Sequence, residues 1–222
     1  MPTDAPGKEM VSLPGFLILG VCASYTRPIG KINWRIFVLI LIALGANLPH
    51  PRYGVPRATC GAALAALADA GVTITQRSRW YKSAPVPASD QPWFINGAAR
   101  IKTALPPDAL MALLLETEEA FGRNRDEPNA PRILDLDLLA YGELILAPDG
   151  GGEGDLQLPH PRLQGRAFVL CPLLDVAPGW HHPQTGQDAG EMIANLPPGQ
   201  QTEAIADAGG VFGTEWGDKD RP

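Results

Sequence analysis

The chain has 222 residues and a mass of 23.7 kDa, which is enough for one domain with a full hydrophobic core and too little for several. Its formal net charge of -6 argues against the nucleic-acid-binding proteins that neutralise phosphates with a basic surface. Cys22, Cys60 and Cys171 have no metal-type spacing and form no disulfide framework. We therefore expect a cytoplasmic protein.

The two ends of the chain differ from its centre. The apolar run near the N-terminus is interrupted by Pro14 and Gly15, and it is shorter than the roughly 20 residues of a transmembrane helix. It also lacks the basic start of an export signal. We expect residues 1–35 to be an extension outside the fold, and we expect no membrane partner. Residues 198–222 are rich in glycine and acidic residues, which predicts a flexible tail.

The first elements of the fold follow the N-terminal extension. Residues 36–44 form an unbroken apolar run, which is typical of a strand that is covered on both faces. Residues 57–70 are rich in alanine and leucine, with Pro56 before them and Gly71 after them. A proline at the start and a glycine after the end favour a helix between them.

The remaining elements complete a recognisable order. Residues 72–81 and 94–103 alternate as strands do, with a proline-rich loop between them. Asp108 follows two prolines and is expected to cap an amphipathic helix that ends at Gly122. Residues 133–139 alternate leucine with aspartate, which predicts a strand. The order β-α-β-β-α-β predicts an α+β, ferredoxin-like fold, with an antiparallel sheet, helices on one face and a C-terminal extension.

Two carboxylates lie on the last predicted strand. Asp135 and Asp137 are two residues apart, so their side chains project from the same face of the strand. Hard oxygen ligands at this spacing suit one or two Mg²⁺ ions that carry a polyphosphate. The alternative is a strand whose polar face simply meets water.

An arginine-rich loop precedes the two aspartates. Residues 122–132 contain Arg123, Arg125 and Arg132, and guanidinium groups bind phosphate oxygens in a planar fork. Beside Mg²⁺ they would stabilise the charge that develops during phosphoryl transfer, and the loop could act as a lid. The alternative is a solvated turn in which the arginines pair with the acidic residues of the same loop.

Further polar and aromatic groups stand near strand ends. Phe94 and Asn96 follow the loop of residues 82–93, and an aromatic face beside an amide suits a flat heterocycle with amide-like edges. Both residues could equally serve the core and the strand end. His160 could be a ligand-binding or a structural histidine. The P-loop and dinucleotide-binding glycine motifs are missing, so metal and arginine would have to bind phosphate.

Several short strings occur in an order that is characteristic of one enzyme family. They are residues 43–48 (ALGANL), 81–85 (YKSAP), 90–96 (DQPWFIN), 122–123 (GR), 131–138 (PRILDLDL), 159–160 (PH) and 165–170 (GRAFVL). Together they resemble the 6-hydroxymethyl-7,8-dihydropterin pyrophosphokinases of folate biosynthesis. The resemblance covers about residues 36–197, which we expect to be the pyrophosphokinase domain.

The resemblance implies an ATP-dependent enzyme. It would transfer the β,γ-diphosphate of ATP to the hydroxymethyl oxygen of the dihydropterin and release AMP. Two Mg²⁺ ions would be the cofactors, and ATP and the pterin would be the only partners of a monomeric protein.

The resemblance also implies roles for individual residues, with Glu118 as structural support. The catalytic set is Arg123, Arg132, Asp135 and Asp137, whose two aspartates would be the metal ligands. The residues implied to contact ATP are Arg125, Leu138, His160 and Arg166. Those implied to contact the pterin are Ser83, Pro85, Val86, Phe94, Asn96 and Phe168.

Two other functions remain open at this point. Another Mg²⁺-dependent nucleotidyl transferase could place paired aspartates on a ferredoxin-like sheet. A non-catalytic ligand-binding module could keep the fold without turnover. The products formed from ATP and the pterin would separate these possibilities.

Overall fold

A computed structural model describes residues 11–13, 16–18, 38–123, 130–147 and 156–217. The strands are β1 (Val11–Leu13), β2 (Phe16–Ile18), β3 (Ile40–Ala46), β4 (Thr73–Arg77), β5 (Trp80–Ser83), β6 (Phe94–Lys102), β7 (Asp135–Tyr141) and β8 (Thr202–Ile205). The α-helices are α1 (Pro56–Asp69), α2 (Pro107–Ala120), α3 (Ala167–Val176) and α4 (Ala189–Ala194).

Six of the strands form one antiparallel sheet. Its order is β7-β3-β6-β5-β8, and β4 also pairs with β6. The α+β, ferredoxin-like prediction is confirmed, because α1 connects β3 to the strands before β6, and α2 connects β6 to β7. The single strand predicted over residues 72–81 is wrong. It is divided into β4 and β5, because Ser78 leaves the strand path and its hydroxyl accepts the Ala98 N–H at 2.9 Å.

Helices cover both faces of this sheet. The predicted helices α1 and α2 pack on one face, where Ile42 belongs to the larger core cluster. Leu41 points to the other face and packs in a second cluster with Leu170 and Leu173 of α3. The C-terminal extension thus adds a second helical layer, because β3 is apolar on both sides.

The start of α2 differs from the prediction. Pro106 occupies the N-cap position, and no side chain caps the helix there. Asp108 lies inside the first turn instead, where its negative charge is favourable near the positive end of the helix dipole. Gly122 follows the helix with a φ of 78°, a left-handed conformation that glycine adopts without steric cost.

The C-terminal part of the chain is largely folded. A flexible tail was predicted for residues 198–222, but β8 pairs with β5 along its whole length. Further on, Trp216 is buried, and the Phe212 carbonyl accepts a 2.9 Å hydrogen bond from the Trp80 indole. The prediction is therefore wrong for residues 202–217, because their apolar side chains complete the core beside α1.

The N-terminal strands stand apart from this sheet. β1 and β2 pair with each other in a separate two-stranded sheet, and the other residues of the predicted extension, 1–35, lie outside the described part of the chain. Within the described ranges, none of the helices has the length and apolar character needed to cross a bilayer.

One close approach in the sheet gives a stability prediction. A Cβ atom on Gly97 would lie 2.7 Å from a ring carbon of Trp80, and the hydrogen bond to Phe212 fixes that ring. Gly97→Ala should lower the free energy of unfolding by about 1–3 kcal/mol, measured by urea denaturation. Gly179→Ala is the control, because a Cβ there meets no atom within 4 Å. Equal stability of the two variants would contradict the prediction.

Candidate active site

A cleft opens where β3, β5, β6, β7 and the start of α3 meet, with a volume of about 840 Å³ counting its open mouth. Most of the residues singled out by the sequence line this cleft. They are Ser83, Val86, Phe94, Asn96, Arg123, Arg132, Asp135, Asp137, Arg166 and Phe168. Segments that are far apart in the sequence thus meet at one end of the sheet.

Three other candidates do not line the cleft, and a fourth lies outside the described residues. Pro85 is absent from its walls. The side chain of Leu138 is buried in the core under α1 and α2, because it alternates with Asp137 along β7. His160 stands just behind the wall, with Nε2 at 3.9 Å from Asp137 Oδ1. Arg125 lies outside the described residues.

The two aspartates of β7 have different surroundings. Asp135 accepts hydrogen bonds from Arg123 and from Arg132, whose Nη1 is 2.7 Å from Oδ2. Burial opposes the ionisation of Asp135, but the two guanidinium charges prevail and lower its pKa. Burial, together with the charge of Asp135, raises the pKa of Asp137 to about 6. In the described part of the chain, no hydrogen-bond donor engages the Asp137 carboxylate.

A fully buried carboxylate holds Arg123 in place. Glu118 lies on the last turn of α2 and accepts from the Arg123 guanidinium and from the Leu136 N–H, the latter at 2.6 Å. Burial alone would lower the pKa of Arg123, but the charges of Asp135 and Glu118 raise it. The cation therefore stays charged between two anions, pointed at the floor of the cleft.

Asn47 connects three segments around the cleft. Its side-chain oxygen accepts the Arg132 N–H at 2.7 Å, and its amide donates to the Pro92 carbonyl at 3.1 Å. Its own N–H donates to the Arg132 carbonyl at 3.0 Å. This buried side chain ties the loop after β3 to the proline-rich loop and to the segment that carries Arg132.

One wall of the cleft is aromatic. Phe94 and Phe168 each have a guanidinium nearby, Arg132 at 5.8 Å and Arg166 at 5.4 Å from the ring centroid. On the paired strands β6 and β5, buried Asn96 donates to the Ser83 hydroxyl at 2.8 Å. The wall offers stacking surfaces and an amide edge to a planar ring.

Helix α2 forms a further wall, of which the sequence analysis had singled out only Glu118, as structural support. Met111, Leu115 and Glu118 face the cleft from one stripe of α2, with the spacing of successive helical turns. The other lining residues that the site prediction omitted are Gly45, Ala84, Leu136 and Arg162. The helical periodicity could have indicated Met111 and Leu115. Both are apolar, but they lie beside the buried side of α2 and are not among its buried residues.

His160 is held in one orientation. Its backbone N–H donates to the Leu139 carbonyl at 2.9 Å, and its Nδ1 accepts the Arg162 N–H at 3.2 Å. The neutral ring therefore carries its proton on Nε2, the nitrogen nearest Asp137. Burial and the charges of Arg166 and Arg162 lower the pKa of His160 to about 4, so the ring is a neutral donor at pH 7.

The donor set fits magnesium. No group of three or more potential metal-ligating side chains occurs in the described ranges, so the protein offers the two carboxylates of Asp135 and Asp137. Mg²⁺ commonly takes one or two protein carboxylates and completes its shell with water and substrate phosphates. The Asp137 carboxylate, which lines the cleft and accepts no hydrogen bond from the described residues, agrees with that mode of binding.

Comparisons with known proteins agree with the geometry. The profile of the family described as 7,8-dihydro-6-hydroxymethylpterin-pyrophosphokinase matches residues 41–178. A 2-amino-4-hydroxy-6-hydroxymethyldihydropteridine pyrophosphokinase of Pseudomonas aeruginosa is 40% identical over 163 residues, which cover 71% of this chain and 91% of that protein. The protein of the same name from a Synechocystis strain is 37% identical over 156 residues, 70% of this chain and 75% of the relative.

A solved structure supports the fold alone. The Plasmodium falciparum HPPK-DHPS crystal structure with pteroate has a TM-score of 0.53 and 12% identity, over 72% of this chain and 44% of that longer chain. The family profile covers more than half of the 222 residues and contains both aspartates of β7. The chain belongs to the 7,8-dihydro-6-hydroxymethylpterin-pyrophosphokinase family.

Proposed function

We propose that this cleft transfers the β,γ-diphosphate of ATP to the hydroxymethyl oxygen of 6-hydroxymethyl-7,8-dihydropterin, which yields AMP and the pterin diphosphate in folate biosynthesis. One observation carries the proposal. Two carboxylates with different pKa shifts lie between an aromatic, amide-bearing wall and an aliphatic wall, with arginines directly beside them. Such a cleft offers surfaces for two ring systems and, between them, a centre that binds phosphate.

The walls suggest how the substrates lie. Phe94 and Phe168 stack on the pterin, while Asn96 pairs with its amide-like edge and is oriented by Ser83. The adenosine lies against Met111 and Leu115 of α2. The triphosphate then crosses the aspartates of β7, which brings the β-phosphorus close to the hydroxymethyl oxygen.

The charged residues perform the remaining tasks. Asp135 and Asp137 would hold magnesium, which supplies positive charge at the phosphate oxygens when it is bound. Arg123 and Arg132 neutralise charge that builds up on the transferred group. His160 does not act as a base, since its pKa is far below 7. Its ring stays neutral and keeps a proton on Nε2, which makes that nitrogen a potential hydrogen-bond donor. Phosphoryl transfer requires positioning and charge neutralisation more than a strong base.

We also infer that the enzyme works as a monomer in the cytoplasm, with Mg²⁺ and ATP as the only additions to the pterin. The two cysteines in the described ranges support this compartment, because both are free thiols, Cys60 buried and Cys171 half-buried. Burial raises the pKa of the Cys60 thiol to about 12, which makes it an inert core residue.

Product analysis tests the proposed reaction. With ATP, Mg²⁺ and 6-hydroxymethyl-7,8-dihydropterin, we expect AMP and pterin diphosphate in equal amounts, measured by chromatography and mass spectrometry. A 6-methyl dihydropterin is the control, because it has no acceptor oxygen and should yield no AMP. Free pyrophosphate with an adenylated product would instead indicate a nucleotidyl transferase, and no turnover would indicate a non-catalytic binding module.

A further inference from the structure

Among the described residues, two of the four arginines in the cleft form no ion pair. Arg123 and Arg132 are engaged by carboxylates, as described above. No carboxylate of the described residues lies within ion-pair distance of the Arg162 or Arg166 guanidinium, and both side chains line the cleft. Since the whole chain carries a net charge of -6, two cations without an ion-pair partner among the described residues are a local feature that suits a bound anion.

The backbone places the two arginines on either side of one short turn. The Leu163 N–H donates to the His160 carbonyl at 3.0 Å, and residues 163–165 then form a 3₁₀ turn whose Leu163 side chain is fully buried. Arg162 precedes this turn and Arg166 follows it, immediately before α3. Anchoring at Leu163 therefore fixes the backbone on both sides of the turn, and the two side chains reach the cleft from there, that of Arg162 being exposed.

The position of the pair indicates which part of the nucleotide it meets. Arg166 lies against the ring of Phe168 in the aromatic wall, and its charge and that of Arg162 act directly on Asp137. Arg166 thus lies near Asp137 and the wall assigned to the pterin, and Arg162 lines the same cleft. In the proposed reaction this is the path of the transferred diphosphate, whereas the AMP half remains toward α2.

We propose that Arg162 is a further binding residue for the transferred diphosphate, which it contacts together with Arg166 both as the β,γ end of ATP and as the diphosphate of the pterin product. The inference rests on the proposed function and adds a residue to that site. Arg162 would make no contact with AMP. The enzyme would therefore bind the product AMP more weakly than it binds ATP, from the moment at which the P–O bond to the α-phosphate breaks.

Calorimetric binding tests this assignment with three ligands in the presence of Mg²⁺. We expect Arg162→Ala to reduce the affinity for α,β-methylene-ATP and for the pterin diphosphate by about tenfold or more, since a charge-assisted hydrogen bond is lost. AMP should bind within twofold of the wild type. Arg162→Lys should recover part of the loss, because a point charge replaces the planar fork. The salt dependence of ATP-analogue binding should also become shallower.

Arg100→Ala is the matched control, because this arginine is exposed on β6 and does not line the cleft. Unchanged affinity of Arg162→Ala for both phosphorylated ligands would overturn the inference, and so would an equal loss for AMP. Turnover by the wild-type chain separates a failure of the proposed function from a failure of the role of Arg162. If it forms no AMP from ATP and the pterin, the proposed function fails. If it does and Arg162→Ala binds normally, only the role of Arg162 fails.

Discussion

Asp137→Asn should remove turnover and at the same time make the metal-free protein more stable. The amide is a poor metal ligand, so the rate of AMP formation should fall by on the order of 10³. Stability should rise, because burial and the neighbouring Asp135 make the Asp137 charge unfavourable and raise its pKa to about 6. Calorimetry in EDTA at pH 8 should show a gain on the order of 1–3 kcal/mol, or several degrees in Tm.

The pH dependence follows from the same shift. In the unfolded chain this carboxyl loses its proton near its ordinary value of 3.8, whereas the folded protein retains it up to about 6. The unfolding free energy of the wild type therefore includes a contribution that decreases as pH rises between these values. Asp137→Asn should lack this decrease. A variant that is less stable than the wild type at pH 8 would contradict the prediction.

Asp135→Asn is the contrasting variant. Its carboxylate joins Arg123 and Arg132, and these charges lower its pKa despite burial. Its contribution to stability is therefore present above the ordinary carboxyl pKa and is lost as pH falls. We expect Asp135→Asn to lose both turnover and stability at pH 7, so that two aspartates on one strand face give opposite changes in Tm.

Replacement of Glu118 should give the largest loss of stability. Glu118→Leu leaves the Leu136 N–H without its acceptor and removes one of the two carboxylates that hold Arg123. Breaking a buried ion pair of this kind costs about 3–5 kcal/mol. Glu118→Gln can still accept from Leu136, so a smaller loss of stability is expected in urea denaturation.

The kinetics of Glu118→Gln separate positioning from folding. With only Asp135 left to hold Arg123, the guanidinium is less well aimed at the transferred group, so kcat should fall at least tenfold while the KM for the pterin stays nearly constant. Glu119→Gln is the control, since Glu119 is the exposed neighbour on α2. If the two glutamine variants had the same kcat and stability, Glu118 would have no positioning role.

Local patterns were sufficient to predict much of this molecule. The alternation of leucine and aspartate placed Asp135 and Asp137 on one face of β7, because side chains alternate along any strand. Prolines and glycines located the ends of α1 and α2 within one or two residues. The order of elements then restricted the sheet to the ferredoxin-like topology, since consecutive elements tend to pack together.

The features that the sequence did not predict depend on contacts between residues that are distant along the chain. Asn47 is 85 residues from Arg132, and neither residue type indicates the other as its partner. Among the described residues, Arg162 and Arg166 form no ion pair, because the folded cleft pairs Asp135 with Arg123 and Arg132 instead. The flexible-tail prediction failed because glycine and acidic content outweighed the few apolar side chains, including Trp216, that complete the core.

The pairing of β8 with β5 sets an order of events during synthesis. Ser83, at the edge of the pterin wall, lies opposite Thr202, so the strand that carries it has a bare edge until residues 202–205 have emerged from the ribosome. A nascent chain that already contains all the charged residues of the cleft would still present that unpaired strand. Catalytic competence should accordingly arise only after residues 202–205 have left the ribosome and paired with β5.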